Sequence, residues 1–374
     1  MIAISSAFDG GNIEVVSLQD ATARLRIRKD NAADFSQWFY FRVTGTRGRA
    51  LTLVIENAGD VSYPGGFENY HAVASYDRQD WFRVPTRFDG KIMTIEHVPT
   101  SDAVYYAYFA PYSMERHADL VADALTSPLV ALEVPGRTLD GQDIDILEIG
   151  EPGEGKPALW VIARQHPGET MAEWWVEGFL DRLLDPADAA SRALLERAVL
   201  YVVPNMNPDG SRRGNLRTNA SGANLNREWK DPSLERSPEV FHVRQRMIET
   251  GIKLCLDVHG DEVLPYNFIA GFEGVPSVTL ERLALLEEFK DRYAALNPDF
   301  QTAHGYPPSA PGKGNLTTST GYLAEFQGVL AMTLEQPFKD TADTPRPEEG
   351  WSPERAMRLG ASVIDVLLPM ASKL

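Results

Sequence analysis

The sequence predicts two domains of different class. An all-β sandwich occupies residues 1–115, and a mixed, mostly parallel α/β sheet flanked by helices occupies 116–374. Three observations carry this reading. Up to Ala110-Pro111-Tyr112-Ser113 the apolar runs are short, aromatic and β-branched, with Gly, Asn and Asp between them. Beyond that point strand-like and helix-like patterns alternate. In the second half the chemically distinctive side chains fall just after apolar runs, at the strand ends where open α/β sheets bind ligands.

In the first domain, Leu25-Arg26-Ile27-Arg28 alternates apolar and charged residues, as a half-exposed strand does. Residues 38–43 and 51–55 are more continuously apolar, as strands covered on both faces are, and further runs follow at 81–84, 92–95 and 104–109. His71, His97 and His117 stand alone, which reads as surface or hydrogen-bonded core positions. A helix over 114–125 opens the second domain. Strands are expected at 129–133, 144–149, 158–163, 198–203, 252–258, 266–270 and 329–334, and helices at 171–184, 238–250, 278–296 and 353–368. Ser237 as N-cap, Pro238 at the first helical position and Gly251 past the end punctuate one helix, and Ser352-Pro353 opens the last. The polar, Pro-rich segment 339–352 reads as a surface loop.

Composition narrows the function. The 374 residues are 43% hydrophobic and 24% charged, as in ordinary globular proteins. No apolar run approaches the roughly 20 residues of a membrane span. Met1 to Phe8 lacks a basic segment followed by a long apolar one, so no signal peptide is expected. The single cysteine, Cys255, excludes an intramolecular disulfide, fits a reducing, cytoplasmic compartment and reads as a small core residue. A formal net charge of −17 disfavours nucleic acid and anionic membrane as partners.

The chemistry centres on His166-Pro167-Gly168-Glu169, between the apolar run 158–163 and a helical pattern from Met171. A His and a carboxylate three residues apart on one tight turn can both face one cation, and both are zinc ligands. His259 follows the strand 252–258 and begins a second copy of the spacing, His259-Gly260-Asp261-Glu262. The expected ligand set is therefore His166, Glu169 and His259, or Glu262 in place of Glu169; the Pro-Gly turn favours Glu169. Three such ligands leave a fourth tetrahedral position for water, whose pKa zinc lowers. A base must then reach that water. Glu335, emerging from the apolar strand 329–334, is the candidate, with a strand-end ion pair as the alternative. The Asn- and Arg-rich stretch from Asn207 to Trp229 carries groups able to grip an anionic end, unless it is simply a solvated loop.

Taken in order, His166-Pro167-Gly168-Glu169, Asn207-Pro208-Asp209-Gly210, Arg217, Asn226-Arg227, His259 and Glu335 resemble the zinc metallocarboxypeptidases, specifically the cytosolic carboxypeptidase subfamily. The segment ending Tyr108-Phe109-Ala110-Pro111-Tyr112-Ser113 is similar to that subfamily's N-terminal domain. The resemblance implies one zinc held by His166, Glu169 and His259, with Glu335 as general base and then acid. It implies that Arg217 stabilises the oxyanion and that Asn226 and Arg227 bind the terminal carboxylate of a peptide or protein substrate. A tyrosine closes such sites; Tyr322 is the candidate, ahead of Tyr306. Asn224 stands where relatives carry an acidic residue behind a ligand histidine. Acidic C-terminal residues are the favoured substrates, with Lys313 as one source of positive charge. Competing expectations are a zinc amidohydrolase of the aspartoacylase or desuccinylase type and a non-catalytic peptide-binding module.

Overall fold

The computed structural model describes residues 1–374. Its first domain is a sandwich of two five-stranded sheets. One has the order β1 (Ala3–Ser5), β4 (Tyr40–Thr44), β10 (Ala103–Ala107), β6 (Val73–Ser75), β7 (Phe82–Arg83). The other runs β2 (Glu14–Gln19), β3 (Thr22–Arg26), β5 (Leu51–Ile55), β9 (Met93–His97), β8 (Thr86–Phe88). All pairs are antiparallel except β3 with β5. Phe39, Phe41, Tyr106, Tyr108 and Phe109 are fully buried, which makes the aromatic strands core rather than a docking face. Strands β1, β2, β6 and β8 escape the sequence pattern. They are short or lie at or near sheet edges, and Val15 and Val16 of β2 are exposed, so burial imposes little alternation on them.

The second domain holds a seven-stranded sheet, β11 (Val130–Glu133), β12 (Ile146–Ile149), β14 (Val199–Val203), β13 (Ala158–Ala163), β15 (Ile252–Val258), β17 (Leu330–Glu335), β16 (Phe268–Ala270), in that order. The four strands from β14 to β17 are parallel. The flanking β11, β12 and β16 pair antiparallel, so the sheet is less parallel than the alternation of elements predicts. No helix separates β11 from β12, and a return without a crossover helix gives an antiparallel pair.

Helix α1 (Met114–Ala124) leads into this domain, and α2 (Met171–Leu183) follows β13 directly. The short helices α3 (Ala189–Arg197) and α4 (Pro208–Arg213) were not visible as apolar periodicity; α5 (Pro238–Glu249) and α6 (Leu280–Leu296) were. Helix α7 (Ser319–Phe326) occupies a stretch to which the sequence pattern assigns no element. The expected last helix is two, α8 (Pro353–Ser362) and α9 (Ile364–Ala371), with the Ser362 hydroxyl bonding back to Leu359 O at the joint. Segment 339–352 is only partly a surface loop. Lys339, Thr341 and Trp351 are buried, because buried Arg355 draws Asp299, Asp340, Thr341 and Thr344 together.

Helix α2 carries the site and is clamped from behind by α8. A Cβ on Gly178 would lie 2.2 Å from Met357 O, and one on Gly360 would lie 2.0 Å from Trp175 O, so glycine alone permits this crossing. Glu173, one turn into α2, is fully buried. It accepts hydrogen bonds from Arg164 Nη1 (2.6 Å) and Asn205 Nδ2 (3.2 Å), and its Oε1 lies 2.6 Å from His117 Nδ1. His117 Nε2 is 3.2 Å from Asp145. Burial alone would depress His117, but the charges and hydrogen bonds of Glu173 and Asp145 win and hold its pKa at about 9.

A folded pKa above the unfolded one stabilises fully below about 6.5, and that contribution is lost as pH rises through about 9. The shift is worth roughly 3 kcal/mol. Urea-unfolding free energies between pH 6.5 and 10 will therefore fall more steeply for the wild type than for His117→Gln; equal slopes would show that His117 is not a buried cation.

Candidate active site

The site forms where β13, β15 and β17 end side by side. After β13 the chain turns sharply through Arg164, which has a left-handed φ of 58°. Its buried guanidinium donates to Pro167 O (3.0 Å), Tyr112 O (2.8 Å) and Glu173 (2.6 Å), so the turn is held from inside. Glu169 N donates to His166 O at 3.2 Å, which brings both side chains to one side of the turn. His259 leaves the end of β15 and donates its N–H to Leu334 O of β17 at 2.8 Å.

The three side chains meet. His166 Nδ1 lies 2.6 Å from Glu169 Oε1, and His259 Nδ1 lies 2.7 Å from Glu169 Oε2. The two Nδ1 atoms are 3.1 Å apart. All three residues are buried, and the ligand atoms lie within 4.8 Å of one another. Two imidazole lone pairs cannot face each other at this distance without a proton or a cation between them. Burial opposes ionisation of Glu169, yet the imidazoles beside it hold its carboxyl well below the usual range. Burial and the Arg217 charge push His166 down to about 4, leaving a neutral ring able to coordinate. This donor set fits a single zinc ion, and Glu262 is not part of it.

The outer ring nitrogens are occupied too. His166 Nε2 is 3.0 Å from Asn224 Oδ1, so the amide does take the place of an acidic support. His259 Nε2 is 3.0 Å from Asp257 Oδ1, an ion-pair contact bent away from a straight hydrogen bond. Asp257 Oδ2 in turn accepts from Gln165 Nε2 (2.6 Å) and from the Ser319 hydroxyl.

A cleft of about 810 Å³ opens over this cluster, lined by Arg217, Asn226, Arg227, Glu262, Tyr306 and Glu335, and also by Tyr63 of the first domain. Glu335 ends β17, is 7% exposed and forms no ion pair with Lys or Arg, which removes the strand-end alternative. Its Oε2 has no hydrogen-bond partner, and burial raises its pKa well above the ordinary value despite the nearby His259. Glu262, facing Arg217, is raised to about 8 by burial. Arg217 Nη1 is 3.7 Å from Glu169 Oε1. Arg227 Nη1 donates to Asn226 O at 2.6 Å, and Asn226 Oδ1 accepts from Ser319 N at 2.9 Å.

Comparison with known proteins agrees with this geometry. Residues 4–109 match the family model of the cytosolic carboxypeptidase N-terminal domain, and residues 117–268 match that of zinc carboxypeptidase. A metallo-carboxypeptidase from Burkholderia cenocepacia is 47% identical, with a TM-score of 0.98 over all of both chains. This chain belongs to the zinc carboxypeptidases. It is a zinc metallocarboxypeptidase. A second such enzyme, from Pseudomonas aeruginosa in complex with (2-guanidinoethylmercapto)succinic acid, is 45% identical with a TM-score of 0.96 over 99% of each chain. An uncharacterised protein of Zymomonas mobilis is 50% identical over 99% of this chain and 97% of its own. Cytosolic carboxypeptidase 1 of Xenopus laevis is 28% identical over 65% of this chain, but the match spans only 24% of that protein.

The carboxypeptidase structure gathers all but one of the expected site residues. Tyr322 lies in α7, outside the cleft wall, with its ring 5.1 Å from Phe326 and beneath the Arg244 guanidinium. The stretch around it is helical, and the helix turns this side chain toward α5 rather than the site. Tyr306 lines the cleft instead, its hydroxyl bonded to Asp261. Lys313 is exposed and does not line the cleft. The Asn207–Trp229 stretch is no solvated loop: Asn207, Asp209, Asn215, Thr218 and Asn219 are buried. Sequence reading missed Asp257, although it stands two residues before His259, which follows the end of the same strand, a spacing that turns both to one face. Tyr63 left no such signal.

Asp257→Asn will weaken zinc binding about 10- to 100-fold. Asn224→Ala, which removes an uncharged acceptor, will weaken it less. Competition against a zinc chelator measures both, and unchanged affinity in Asp257→Asn would refute the support assigned to that carboxylate.

Proposed function

We propose that this enzyme is a cytosolic carboxypeptidase-type exopeptidase that removes single residues from peptide or protein C-termini. The subfamily reading is supported by the match of residues 4–109 to that subfamily's N-terminal domain. The observation that carries the mechanism is Glu335, a buried carboxylate with an unpartnered oxygen in the cleft that holds the His166-Glu169-His259 cluster. A buried acceptor left open costs stability, so its partner is the reacting molecule.

In this reading His166, Glu169 and His259 hold the metal; zinc, when bound, supplies Lewis-acid polarisation and an acidified water. Glu335 takes the proton of the attacking water and passes it to the leaving amine, a task its raised pKa suits. Arg217 meets the charge that develops on the scissile carbonyl oxygen. Arg227 binds the substrate's terminal carboxylate, with Asn226 donating through Nδ2, since its Oδ1 is committed to Ser319. The succinate group of the ligand held by the P. aeruginosa relative is consistent with such a clamp. Tyr306 takes the closing role in place of Tyr322. A buried, free Cys255 supports a reducing, cytoplasmic setting.

The preference for acidic side chains finds no free cation in the cleft. Lys290 is already paired with Glu273 (3.1 Å) and Glu287 (2.9 Å). Arg217 and Arg227 serve the carbonyl and the carboxylate. Uncharged C-terminal side chains are therefore favoured over glutamate.

Glu335→Gln will lower kcat by about 10²- to 10⁴-fold with zinc content unchanged, read by turnover and metal analysis; near-normal turnover would displace it as the base. Arg227→Ala will raise KM at least about tenfold on free-acid peptides, a loss typical of a charged contact. Equal wild-type affinity for free-acid and amidated peptides would remove the clamp. A library of C-terminal residues, read by mass spectrometry with and without chelator, will rank uncharged residues above glutamate. Tyr306→Phe will lower kcat/KM, and Tyr322→Phe will leave it unchanged.

A further inference from the structure

Arg217 sits on a segment, Leu216–Thr218, that belongs to no helix or strand of its own domain. Its own domain holds two of its carbonyls, through Gly168 N on Leu216 O (2.9 Å) and Asn215 Nδ2 on Thr218 O (2.8 Å). All three of its backbone N–H groups are held from the other domain. The carboxylate of Asp30, 4% exposed, accepts from Leu216 N (2.6 Å) through Oδ1. Through Oδ2 it accepts from Arg217 N (2.8 Å), Thr218 N (3.0 Å) and Thr218 Oγ1 (3.1 Å). Asp30 forms no ion pair. A buried carboxylate without a counter-ion is costly, and here its hydrogen-bonding capacity goes to three consecutive residues centred on Arg217.

The same domain also seats the side chain. The Arg217 guanidinium lies 5.4 Å from the Tyr63 ring and 5.9 Å from the Phe35 ring, within cation–π range. On either side of the segment, Asn12 Nδ2 donates to Gly214 O (2.9 Å) and Asn31 Nδ2 donates to Ala220 O (2.7 Å). Adhesion between the domains has other sources: Tyr108 stacks on Phe338 at 4.4 Å, and Arg83 donates to Phe338 O and Trp351 O. The Asp30 contacts are thus not needed to hold the domains together, and they converge on one functional arginine.

We infer that Asp30 is a positioning residue for Arg217, and that the β-sandwich domain, through Asp30, Phe35 and Tyr63, is a working part of the active site. The inference rests on Arg217 acting at the scissile carbonyl. Both oxygens of Asp30 are needed as acceptors, because an amide at position 30 would turn N–H donors toward N–H donors whichever way it was flipped.

The test is a double-mutant cycle on the zinc-loaded full chain, with kcat, KM, zinc content and Tm measured for Asp30→Asn, Arg217→Ala and the double variant. Loss of an oxyanion donor costs about 10²- to 10³-fold in kcat, and misplacing one by 1 Å costs about 10²-fold. Asp30→Asn is expected to lower kcat about 10²-fold with KM and zinc content little changed, and to add less than about threefold on the Arg217→Ala background. Wild-type kcat in Asp30→Asn, or losses that simply multiply in the double variant, would overturn the inference. If Arg217→Ala alone keeps wild-type kcat, the assignment of Arg217 falls, a separate result. Thr218→Val removes one donor to Asp30 and is the milder variant should Asp30→Asn not fold. Its smaller loss of kcat must likewise vanish on the Arg217→Ala background, and persistence there would also overturn the inference.

Discussion

The structure depends on one buried contact: two imidazole nitrogens 3.1 Å apart, each against one oxygen of Glu169. Everything around it serves to hold that geometry. The strained Arg164 turn presents His166 and Glu169 together, and its guanidinium ties the turn to Glu173 and hence to α2. The parallel register of β13 and β15 sets Ala163 beside Val258, so His259 emerges next to the turn. Asn224 and Asp257 fix the far nitrogens of the two rings and thereby their orientation. The site is preorganised, and a metal entering it meets ligands already in place.

Four buried carboxylates around the site differ in how fully they are satisfied. Asp209 is fully engaged, accepting from Thr138, Gln142 and the Asp140 backbone, and it fastens the start of α4. Glu173 is equally satisfied by three partners. Glu335 and Glu262 each keep an oxygen without a partner, and both face the cleft. Asp209 and Glu173 are thus closed by protein partners, whereas Glu335 and Glu262 are open toward the cleft, as expected if substrate and water complete them.

The β-sandwich joins the same economy. Its aromatic core continues into the catalytic domain through the Tyr108–Phe338 stack, three residues beyond Glu335. Gln37 bonds Tyr108 and the backbone of Tyr63, and Tyr63 reaches the cleft. A rigid wall supplied by one domain therefore stands against strand ends supplied by the other.

Local chemistry was legible along the chain. Alternation of strand and helix patterns, the His-Pro-Gly-Glu turn, His259 at a strand end and Glu335 at another are all short-range features, because backbone periodicity and turn residues act over a few positions. Those signals located the two folds, the metal ligands and a buried carboxylate next to them. They were weaker at edge strands and short helices, where burial imposes no pattern, and the aromatic candidate Tyr322 failed because helix direction, not proximity in sequence, decides where a side chain points. Asp30 lies 187 residues from Arg217, and Tyr63 lies 154 from it, so no local pattern could link them. The sequence by itself determined which chemistry the chain can perform. Only the tertiary structure decided which groups hold that chemistry in place, since contacts between distant segments exist only once both domains have packed.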